Sequence, residues 1–370
     1  FGQTPFVYNP PEGFKALCTS NINHGPVRDP RQHHASLIYT GDGSNGRAIT
    51  GLKFKPDLVW IKRRATGNQA HAWHDVLRGP TVHLESSTTD GDETNNVYGA
   101  LSSFDQGGFT IALGSGGGGD YVNSNGKTYV AWCWKAGGAG VTNSLGTISS
   151  QVSANKEAGF SIMTYTGNGS NGATIGHGLD SAPEFVIVKG RTNSLNWVIT
   201  EKNDPSKYLE LNTTQAYQNQ SSYNMFNSTA PSSTVITLGN IGNTNTNAIN
   251  YVAYAWHSVP GYSKVGAFNG DGETDNTFIP CGFRPAWIMA RSVNSTGGQW
   301  WIVDTVRDPD NVVYNMLDAN RSNPERTDTI YDINSNGFKV RLGLNTDTFV
   351  FLAFAEQSIS NPFGGQSDAR

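Results

Sequence analysis

One acidic stretch of the sequence contains residue types suited to cation binding. It reads TTDGDETNN from Thr88 to Asn96 and contains Asp90, Asp92 and Glu93. Carboxylate oxygens are ligands that Ca²⁺ prefers, and calcium loops place several of them at alternating positions. A solvated acidic loop has the same composition and is the simpler interpretation. No cofactor is required by the sequence, and Ca²⁺ at these three residues is the candidate ion.

Two carboxylate–guanidinium pairs share one spacing in distant parts of the chain. Asp75 precedes Arg78 and Asp304 precedes Arg307, each by three residues. At the end of a strand this spacing allows a bidentate ion pair. We predict a structural clip at both places. The corresponding middle segment reads TEKND, so the clip is not essential to the fold.

Histidines cluster in the phrase HAWHDV, where His71 and His74 are followed by His83. In a strand, His71 and His74 point to opposite faces and do not readily share one metal ion. We therefore favour structural roles for them. His33 and His34 follow a proline-rich stretch and are expected at the surface.

Nine tryptophans and abundant asparagine suit carbohydrate recognition, because aromatic rings stack on sugars while amides bind hydroxyl groups. Most tryptophans recur at equivalent positions, which favours core packing. Trp73, Trp197 and Trp301 are aligned in this way, so Trp300 is expected on the opposite, exposed side of its strand. Trp300, Trp301 and nearby Asp304 are therefore the candidate ligand-binding residues, with a subunit contact as the alternative role for Trp300.

The composition excludes several functional classes. Charged residues make up 15% of the chain, against about 25% in an ordinary soluble domain. The net charge is −4 without a basic block, so we predict no nucleic-acid partner. No apolar run approaches the roughly 20 residues of a membrane helix, so we predict no membrane insertion. Cys18, Cys133 and Cys281 are an odd and sparse set instead of a disulfide framework, which fits a reducing cytoplasm.

Three glycine-rich phrases open a longer internal repeat. IYTGDGSNG begins at Ile38, TYTGNGSNG at Thr164 and AFNGDGETDN at Ala267. Glycine and asparagine tolerate positive φ, and the middle phrase has no carboxylate, so turn geometry is favoured over a calcium or phosphate site. Five further features follow in the same order each time: a proline-led apolar run, a tryptophan segment, a short strand-like phrase, an alternating strand and a closing aromatic strand.

The apolar segments are short and have the patterns of β-strands. In FKVRL, for example, Phe338, Val340 and Leu342 alternate with two basic residues, as in a half-buried strand. β-Branched and aromatic residues dominate these runs, and turn-forming residues dominate between them. The sequence predicts an all-β protein of three tandem β-sandwich or jelly-roll-like repeat domains with little helix.

The repeat boundaries are predicted at residues 35–138, 159–262 and 263–370. Residues 1–34 are expected to be a lead-in from a missing upstream domain, and 139–158 a linker with a flexible glycine-rich start. Three repeats in one chain can also close a pseudo-threefold ring without a partner.

The phrases FKPDLVWIK, YVAWCWKAGG and FLAFAE resemble a family of repeat proteins of marine and cyanobacterial tailed phages. The opening FGQTPFVYNPPEGFKALCT is similar to the stretch that follows the last strand of a SPRY-type sandwich in such proteins. The resemblance covers essentially the whole chain and carries no catalytic signature. It implies a virion protein, assembled in the host cytoplasm with other virion proteins. Analogy with phage fibres adds a homo-oligomer, with a trimer favoured.

The leading hypothesis is a non-enzymatic tail fibre or appendage that contacts a glycan or protein of the host surface. One alternative is a capsid-decorating or head-fibre protein. The other is a depolymerase that cleaves host polysaccharide, which would need two carboxylates about 5 to 10 Å apart. No repeat has an extra acidic pair, and nucleophile-elbow and Walker phrases are absent, so we predict no enzymatic activity.

Overall fold

The computed structural model describes residues 26–94, 97–115, 121–273, 277–341 and 343–355. Strands dominate all of these ranges. The helical content of the described residues is a short 3-10 turn, Pro30–Gln32, and one four-residue helix, α1 (Gly242–Asn245). The prediction of an all-β protein with little helix is confirmed.

The strands fall into three groups along the chain. We call residues 34–134 segment 1, with β1 (His34–Thr40), β2 (Arg47–Thr50), β3 (Leu58–Arg63), β4 (Ala72–Asp75), β5 (Gly79–Leu84), β6 (Ala100–Asp105), β7 (Gly108–Ala112) and β8 (Thr128–Trp134). Residues 141–256 are segment 2, with β9 (Val141–Asn143), β10 (Ser150–Asn155), β11 (Phe160–Thr166), β12 (Thr174–Gly176), β13 (Phe185–Gly190), β14 (Val198–Glu201), β15 (Lys207–Glu210), β16 (Gln218–Asn219), β17 (Val235–Thr237) and β18 (Asn250–Trp256). Residues 263–355 are segment 3, with β19 (Ser263–Asn269), β20 (Phe278–Pro280), β21 (Pro285–Ser292), β22 (Trp301–Asp304), β23 (Val313–Asp318), β24 (Arg326–Asn334), β25 (Gly337–Val340) and β26 (Thr348–Ala355).

The same five-strand order occurs in each segment. It is β1-β8-β3-β4-β5 in segment 1, β11-β18-β13-β14-β15 in segment 2 and β19-β26-β21-β22-β23 in segment 3. All neighbouring strands in these orders are antiparallel. The closing aromatic strand lies second, between the first strand and the proline-led strand. This central position explains why the closing strand is apolar on both faces.

Each five-stranded sheet packs on both of its faces. The outer face of segment 1 packs on a small sheet of β2, β7 and β6, and segment 2 carries the β12–β17 pair in the same place. In segment 3 the sheet continues through β24, β25 and β20. Each segment therefore has a two-layered, sandwich-like cross-section with its own outer core.

The inner faces of the three sheets meet in one shared core. Every tryptophan of the chain except Trp301 belongs to this core, together with Phe160, Phe185, Tyr254 and Phe354. A buried tryptophan removes roughly 150–250 Å² from water, and its truncation typically costs about 3–5 kcal/mol. Because these side chains come from all three segments, their burial stabilises the arrangement of the sheets as well as each sheet.

Two expectations about the connecting stretches are wrong. Residues 139–158, expected to be a linker, contain β9 and β10, which extend the sheet of segment 2 through β11. The strands are short and polar, and their pairing uses the main chain, so hydropathy gives little sign of them. His33 and His34 are buried: His34 is 2% exposed and stacks on Phe354, with ring centroids 4.8 Å apart. The domain boundaries remain a prediction.

Candidate functional site

The two adjacent tryptophans are placed opposite to expectation. Trp300 is fully buried, and its indole N–H donates to the Glu210 carbonyl at 3.1 Å. Trp301 is the partly exposed one and stacks on Phe349, with ring centroids 5.7 Å apart. The expected exposure of Trp300 is wrong because the strand register aligns Trp300, and not Trp301, with Trp197.

Asp304, the third candidate ligand-binding residue, is also buried. One carboxylate oxygen accepts the Arg307 backbone N–H at 2.9 Å, and the other accepts Arg307 Nε at 2.6 Å and Trp132 Nε1 at 2.9 Å. Asp75 binds Arg78 in the same way, at 3.0 Å and 2.5 Å. The predicted clips are confirmed, although each carboxylate binds one guanidinium nitrogen and one backbone amide instead of the fork. The Asp304 carboxylate therefore stabilises the fold through these three hydrogen bonds.

The three acidic residues of the stretch lie in three different environments. Asp92 forms ion pairs with Arg78 at 3.2 Å and with Arg191 of segment 2 at 2.7 Å. Asp90 is exposed. Glu93 alone of the three belongs to a group of side chains that could hold a metal ion among the described residues. The three predicted residues thus do not converge on one Ca²⁺, because Asp92 faces the neighbouring segment.

Glu93 meets His83 and Glu85 in what we call the His83 cluster. The backbones of His83 and Glu93 lie opposite each other in an antiparallel bridge, with N–H to O distances of 3.2 and 3.0 Å. Residues facing each other in such a bridge have neighbouring side chains. Glu85 follows His83 by two residues and returns to the same face of the chain. One ligand atom from each residue lies within 4.8 Å of the others.

Burial sets the electrostatics of this cluster. His83 is fully buried and Glu85 is 6% exposed, while the Glu93 side chain is 42% exposed. Desolvation raises the pKa of Glu93, and the nearby Glu85 carboxylate raises it further. The Tyr121 hydroxyl is hydrogen-bonded to Glu85, and desolvation with this carboxylate raises the pKa of Tyr121. The cluster combines one imidazole and two carboxylates, a donor set that suits a divalent cation.

Buried cations bridge the boundaries between segments, which we call seams. Lys62 Nζ donates to the carbonyls of Gln69 at 2.6 Å and of Ser322 in segment 3 at 2.9 Å. Lys189 Nζ donates to the carbonyl of Thr89 in segment 1 at 2.8 Å. Desolvation lowers the pKa of Lys62 to about 7 and that of Lys189 to about 8.

Arg291 occupies the corresponding position of segment 3. It pairs with the same point of the closing strand, and it donates to the Glu210 and Thr213 carbonyls of segment 2 at 2.8 and 3.1 Å and to the Gln215 carbonyl. Its guanidinium also lies 5.5 Å from the Trp300 ring centroid. Desolvation lowers the pKa of Arg291 to about 10. Each seam thus contains one buried cation that binds carbonyl oxygens.

Aromatic ring nitrogens cross the same seams in the same direction. The contacts to carbonyl oxygens are Trp197 to Glu85 (3.0 Å), Trp300 to Glu210 (3.1 Å) and His71 to Asp318 (3.0 Å). Trp60 Nε1 donates to His71 Nδ1 at 2.8 Å, so the Nε2–H of a neutral His71 is the donor to Asp318. Segment 2 contacts segment 1, segment 1 contacts segment 3, and segment 3 contacts segment 2. The three segments therefore form a closed ring.

The glycine-rich phrases form turns, as predicted. In each, a side-chain oxygen accepts the backbone N–H two residues later: Asp42 from Ser44 (2.8 Å), Asn168 from Ser170 (2.9 Å) and Asp271 from Glu273 (2.9 Å). The preceding Gly41 has no room for a side chain, since a Cβ atom would lie 2.1 Å from the Ser124 carbonyl oxygen. Hydrogen bonds from Ser44 lower the pKa of Asp42 to about 2. These side-chain oxygens therefore stabilise the turns in which they lie.

A cavity of about 690 Å³ opens where the chain passes from segment 1 to segment 2, with Lys55 and Lys135 in its wall. Asp57 lies in the same wall and accepts the backbone N–H groups of Ala136 at 2.7 Å and Gly138 at 3.3 Å. Desolvation raises the pKa of Asp57. The carboxylate therefore anchors the connecting chain.

Sequence reasoning missed the His83 cluster and the seam cations. His83 and Glu85 have the two-residue spacing of side chains on one face of a strand, which is a usable signal. Their proximity to Glu93 depends on a loop that folds back. The seam cations each follow an apolar strand segment, and these are Lys62, Lys189 and Arg291. In the sequence, a cation at such a position indicates only the solvent-exposed end of a strand.

Comparisons with known proteins identify the family. Among the described residues, no helix combines the length and the apolar character that crossing a bilayer requires. No curated protein and no solved structure shows significant similarity to the chain. The profile of a domain of unknown function, DUF7483, matches residues 29–358. Because this match spans most of the 370 residues, the chain belongs to the DUF7483 family.

Proposed function

We propose that this chain is a non-enzymatic structural protein of a tailed-phage particle, a tail fibre or related appendage. The closed ring of three segments supports the proposal most directly. Its seams are filled by hydrogen bonds and a shared aromatic core within one chain. A ring of three segments that share one strand order suits attachment to a threefold-symmetric partner in the particle.

The chemistry of the buried ionisable groups supports a structural role. Strongly shifted pKa values are often a sign of catalytic groups. Here Lys62 and Lys189 are buried, and their ammonium groups bind backbone carbonyls on both sides of a seam. A catalytic acid or base must reach a substrate proton within hydrogen-bond distance. These lysines instead hold the ring together.

Host contact is the second part of the proposal. A chain with 15% charged residues presents a nearly neutral surface, which suits glycans or other virion proteins better than anionic polymers. Of the three ligand-binding candidates, Trp301 alone keeps an exposed fraction. Its ring is the one left for contact with a sugar or a host protein.

Labelling of intact particles tests the proposal. Gold-conjugated antibody raised against this chain should label virions, and electron microscopy should place the label at the tail. Label at the head would support the capsid-decorating alternative over the tail fibre. Purified particles without label, with the protein confined to the lysate, would overturn the virion role.

Incubation with host surface polysaccharide tests the non-enzymatic part. The purified full chain should release no reducing sugar above a heat-inactivated control. Release of reducing ends would overturn this part and favour the depolymerase alternative. Glu85 and Glu93 would then be the first carboxylates to replace, because their carboxylate oxygens lie within 4.8 Å of each other and the Glu93 side chain is 42% exposed.

A further inference from the structure

We propose that the His83 cluster binds a divalent transition-metal ion, and that Zn²⁺ fits it best. The donors are Nε2 of His83 and one carboxylate oxygen each from Glu85 and Glu93. This site goes beyond the structural role proposed above and does not rest on it.

The distances between donors suit a shared ion better than direct hydrogen bonds. His83 Nε2 lies 3.7 Å from Oε1 of Glu85 and 3.7 Å from Oε2 of Glu93. A charged N–H···O hydrogen bond is about 2.7–2.9 Å long. Zinc bonds of about 2.0–2.1 Å in a tetrahedron separate neighbouring donors by about 3.4 Å. A contraction of a few tenths of an ångström therefore brings each pair of His83 with a glutamate to the separation of two zinc ligands.

The loop that carries Glu93 is fixed without an ion. The Asp92 backbone N–H donates to the Arg191 carbonyl at 2.6 Å, and the Asp92 side chain pairs with Arg78 and Arg191. Lys189 Nζ binds the Thr89 carbonyl at the start of the same loop. An ion entering the cluster does not have to order this loop, so little of the binding free energy is lost to ordering.

Charge also favours a cation. Glu85 is 6% exposed, and a ligand oxygen of Glu93 lies within 4.8 Å of one from Glu85. Two carboxylates at this separation repel each other, and burial strengthens the repulsion. One divalent ion balances both charges. The cluster is then neutral overall, with a neutral imidazole as the third ligand.

Tyr121 contacts two of the three proposed ligands. Its hydroxyl is hydrogen-bonded to Glu85, and its ring lies edge-on to the His83 ring with centroids 5.7 Å apart. Partners of this kind hold metal ligands in orientation, and their loss weakens metal binding. Two of the three ligands thus have a contact that limits their rotation.

The donor types select the ion. Ca²⁺ takes six to eight oxygen ligands, whereas Zn²⁺ accepts imidazole nitrogen with carboxylate oxygen and is satisfied by four donors. Three protein donors leave one position for water. Of the acidic stretch, the proposed site therefore uses only Glu93, together with His83 and Glu85, and its ion is Zn²⁺ instead of the expected Ca²⁺.

Titration of the metal-free full chain with ZnCl₂ tests the proposal. Calorimetry should show saturable binding, and Tm should rise by several degrees with Zn²⁺ but not with the same concentration of Ca²⁺. Glu93→Gln should weaken the affinity at least ~10-fold. This variant suits the test because the Glu93 side chain is 42% exposed, so its replacement spares the core.

Asp90→Asn is the matched control. It removes the same unit of charge from the same loop, on an exposed side chain outside the cluster. Its affinity for Zn²⁺ should stay within about twofold of the unmodified chain, since Asp90 is not a ligand. An equal loss in both variants would show general attraction by the acidic loop and overturn the site.

Cobalt spectroscopy gives a readout independent of stability. Co²⁺ in the site should give the strong visible absorption of low-coordinate cobalt, and Glu93→Gln should lose it. Zinc binding unchanged in Glu93→Gln would assign the ion to other histidines and overturn the proposal. Absence of saturable Zn²⁺ binding by the unmodified chain would do the same.

Discussion

Two seams of the ring join their segments with different side chains. In the seam between segments 1 and 3, Arg64 binds both carboxylate oxygens of Glu325 at 2.9 and 2.8 Å. In the seam between segments 3 and 2, Val293 takes the place of Arg64, and there is no corresponding ion pair between described residues. Yet the Glu325 N–H binds the Arg64 carbonyl at 3.1 Å, and the Tyr217 N–H binds the Val293 carbonyl at 2.9 Å.

The comparison separates what the ring requires from what it tolerates. The main-chain hydrogen bond, the buried cation and the ring N–H contact occur in every seam. The partly buried ion pair occurs in two seams, since Asp92 and Arg191 provide it between segments 1 and 2. Backbone geometry and fully buried donors therefore define the seam, and the ion pair is an addition.

The largest expected difference concerns the buried clips. Asp304→Ala leaves the Arg307 guanidinium buried without its main partner and Trp132 Nε1 without an acceptor. Breaking a buried ion pair costs about 3–5 kcal/mol. Glu201→Ala at the corresponding position of segment 2 removes hydrogen bonds from Tyr217 and Asn203 and should cost about 1–2 kcal/mol.

Urea unfolding at neutral pH measures both variants, and Asp75→Ala is the control for Asp304→Ala. Asp75 has the same contacts with Arg78 and accepts the Tyr254 hydroxyl at 2.7 Å. The two clip variants should lose similar free energies of unfolding. A loss for Glu201→Ala as large as that for Asp304→Ala would show that the Asp304–Arg307 ion pair adds nothing to the free energy of unfolding beyond its hydrogen bonds.

The sequence predicts the strands and turns well because their signals are local. Alternation in β25, the apolar closing strands and the glycine-rich turns each depend on a few consecutive residues. Each Asp–Arg clip also lies within four residues. These features need no knowledge of the distant chain.

The seams and the His83 cluster were not predictable in the same way. Lys62 binds the Ser322 carbonyl 260 residues away, and Glu93 reaches His83 through a loop whose anchor, Arg191, lies in segment 2. The sequence alignment of the repeats places Trp300 one residue out of register. A shift of one residue along a strand moves a side chain to the opposite face of the sheet. Only the strand pairing of β21 with β22 fixes that register.

A pH titration sharpens the comparison of buried cations. The pKa of Lys62 is lowered to about 7 in the folded chain from 10.5. Between these values the unfolded chain binds more protons, so the free energy of unfolding contributed by Lys62 rises with pH. From pH 7 to 9.5 this amounts to at most ~3 kcal/mol. Urea unfolding should show a smaller rise for Lys62→Met.

Arg291→Met is the control for this titration. The pKa of Arg291 is lowered only to about 10, so its charge is largely constant over the same range. The variant should be less stable at every pH, because three carbonyls lose their donor, but its slope with pH should match that of the unmodified chain. A flattened slope in Arg291→Met and an unchanged one in Lys62→Met would reverse the assignment.

The smallest expected effect concerns the ion pair between Arg64 and Glu325, which has no counterpart at Val293 in the seam between segments 3 and 2. The side chains of Arg64 and Glu325 are 19% and 12% exposed, so Arg64→Gln should cost about 1 kcal/mol. Salt screens such pairs, and the cost should fall between about 0.05 M and 1 M NaCl. Tyr217→Phe removes a hydrogen bond to Glu201 in the other seam and should cost a similar amount with a weaker dependence on salt. Equal salt dependence of the two variants would mean that the seams do not differ in their electrostatics, because screening acts on the charge pair that only the first of them contains.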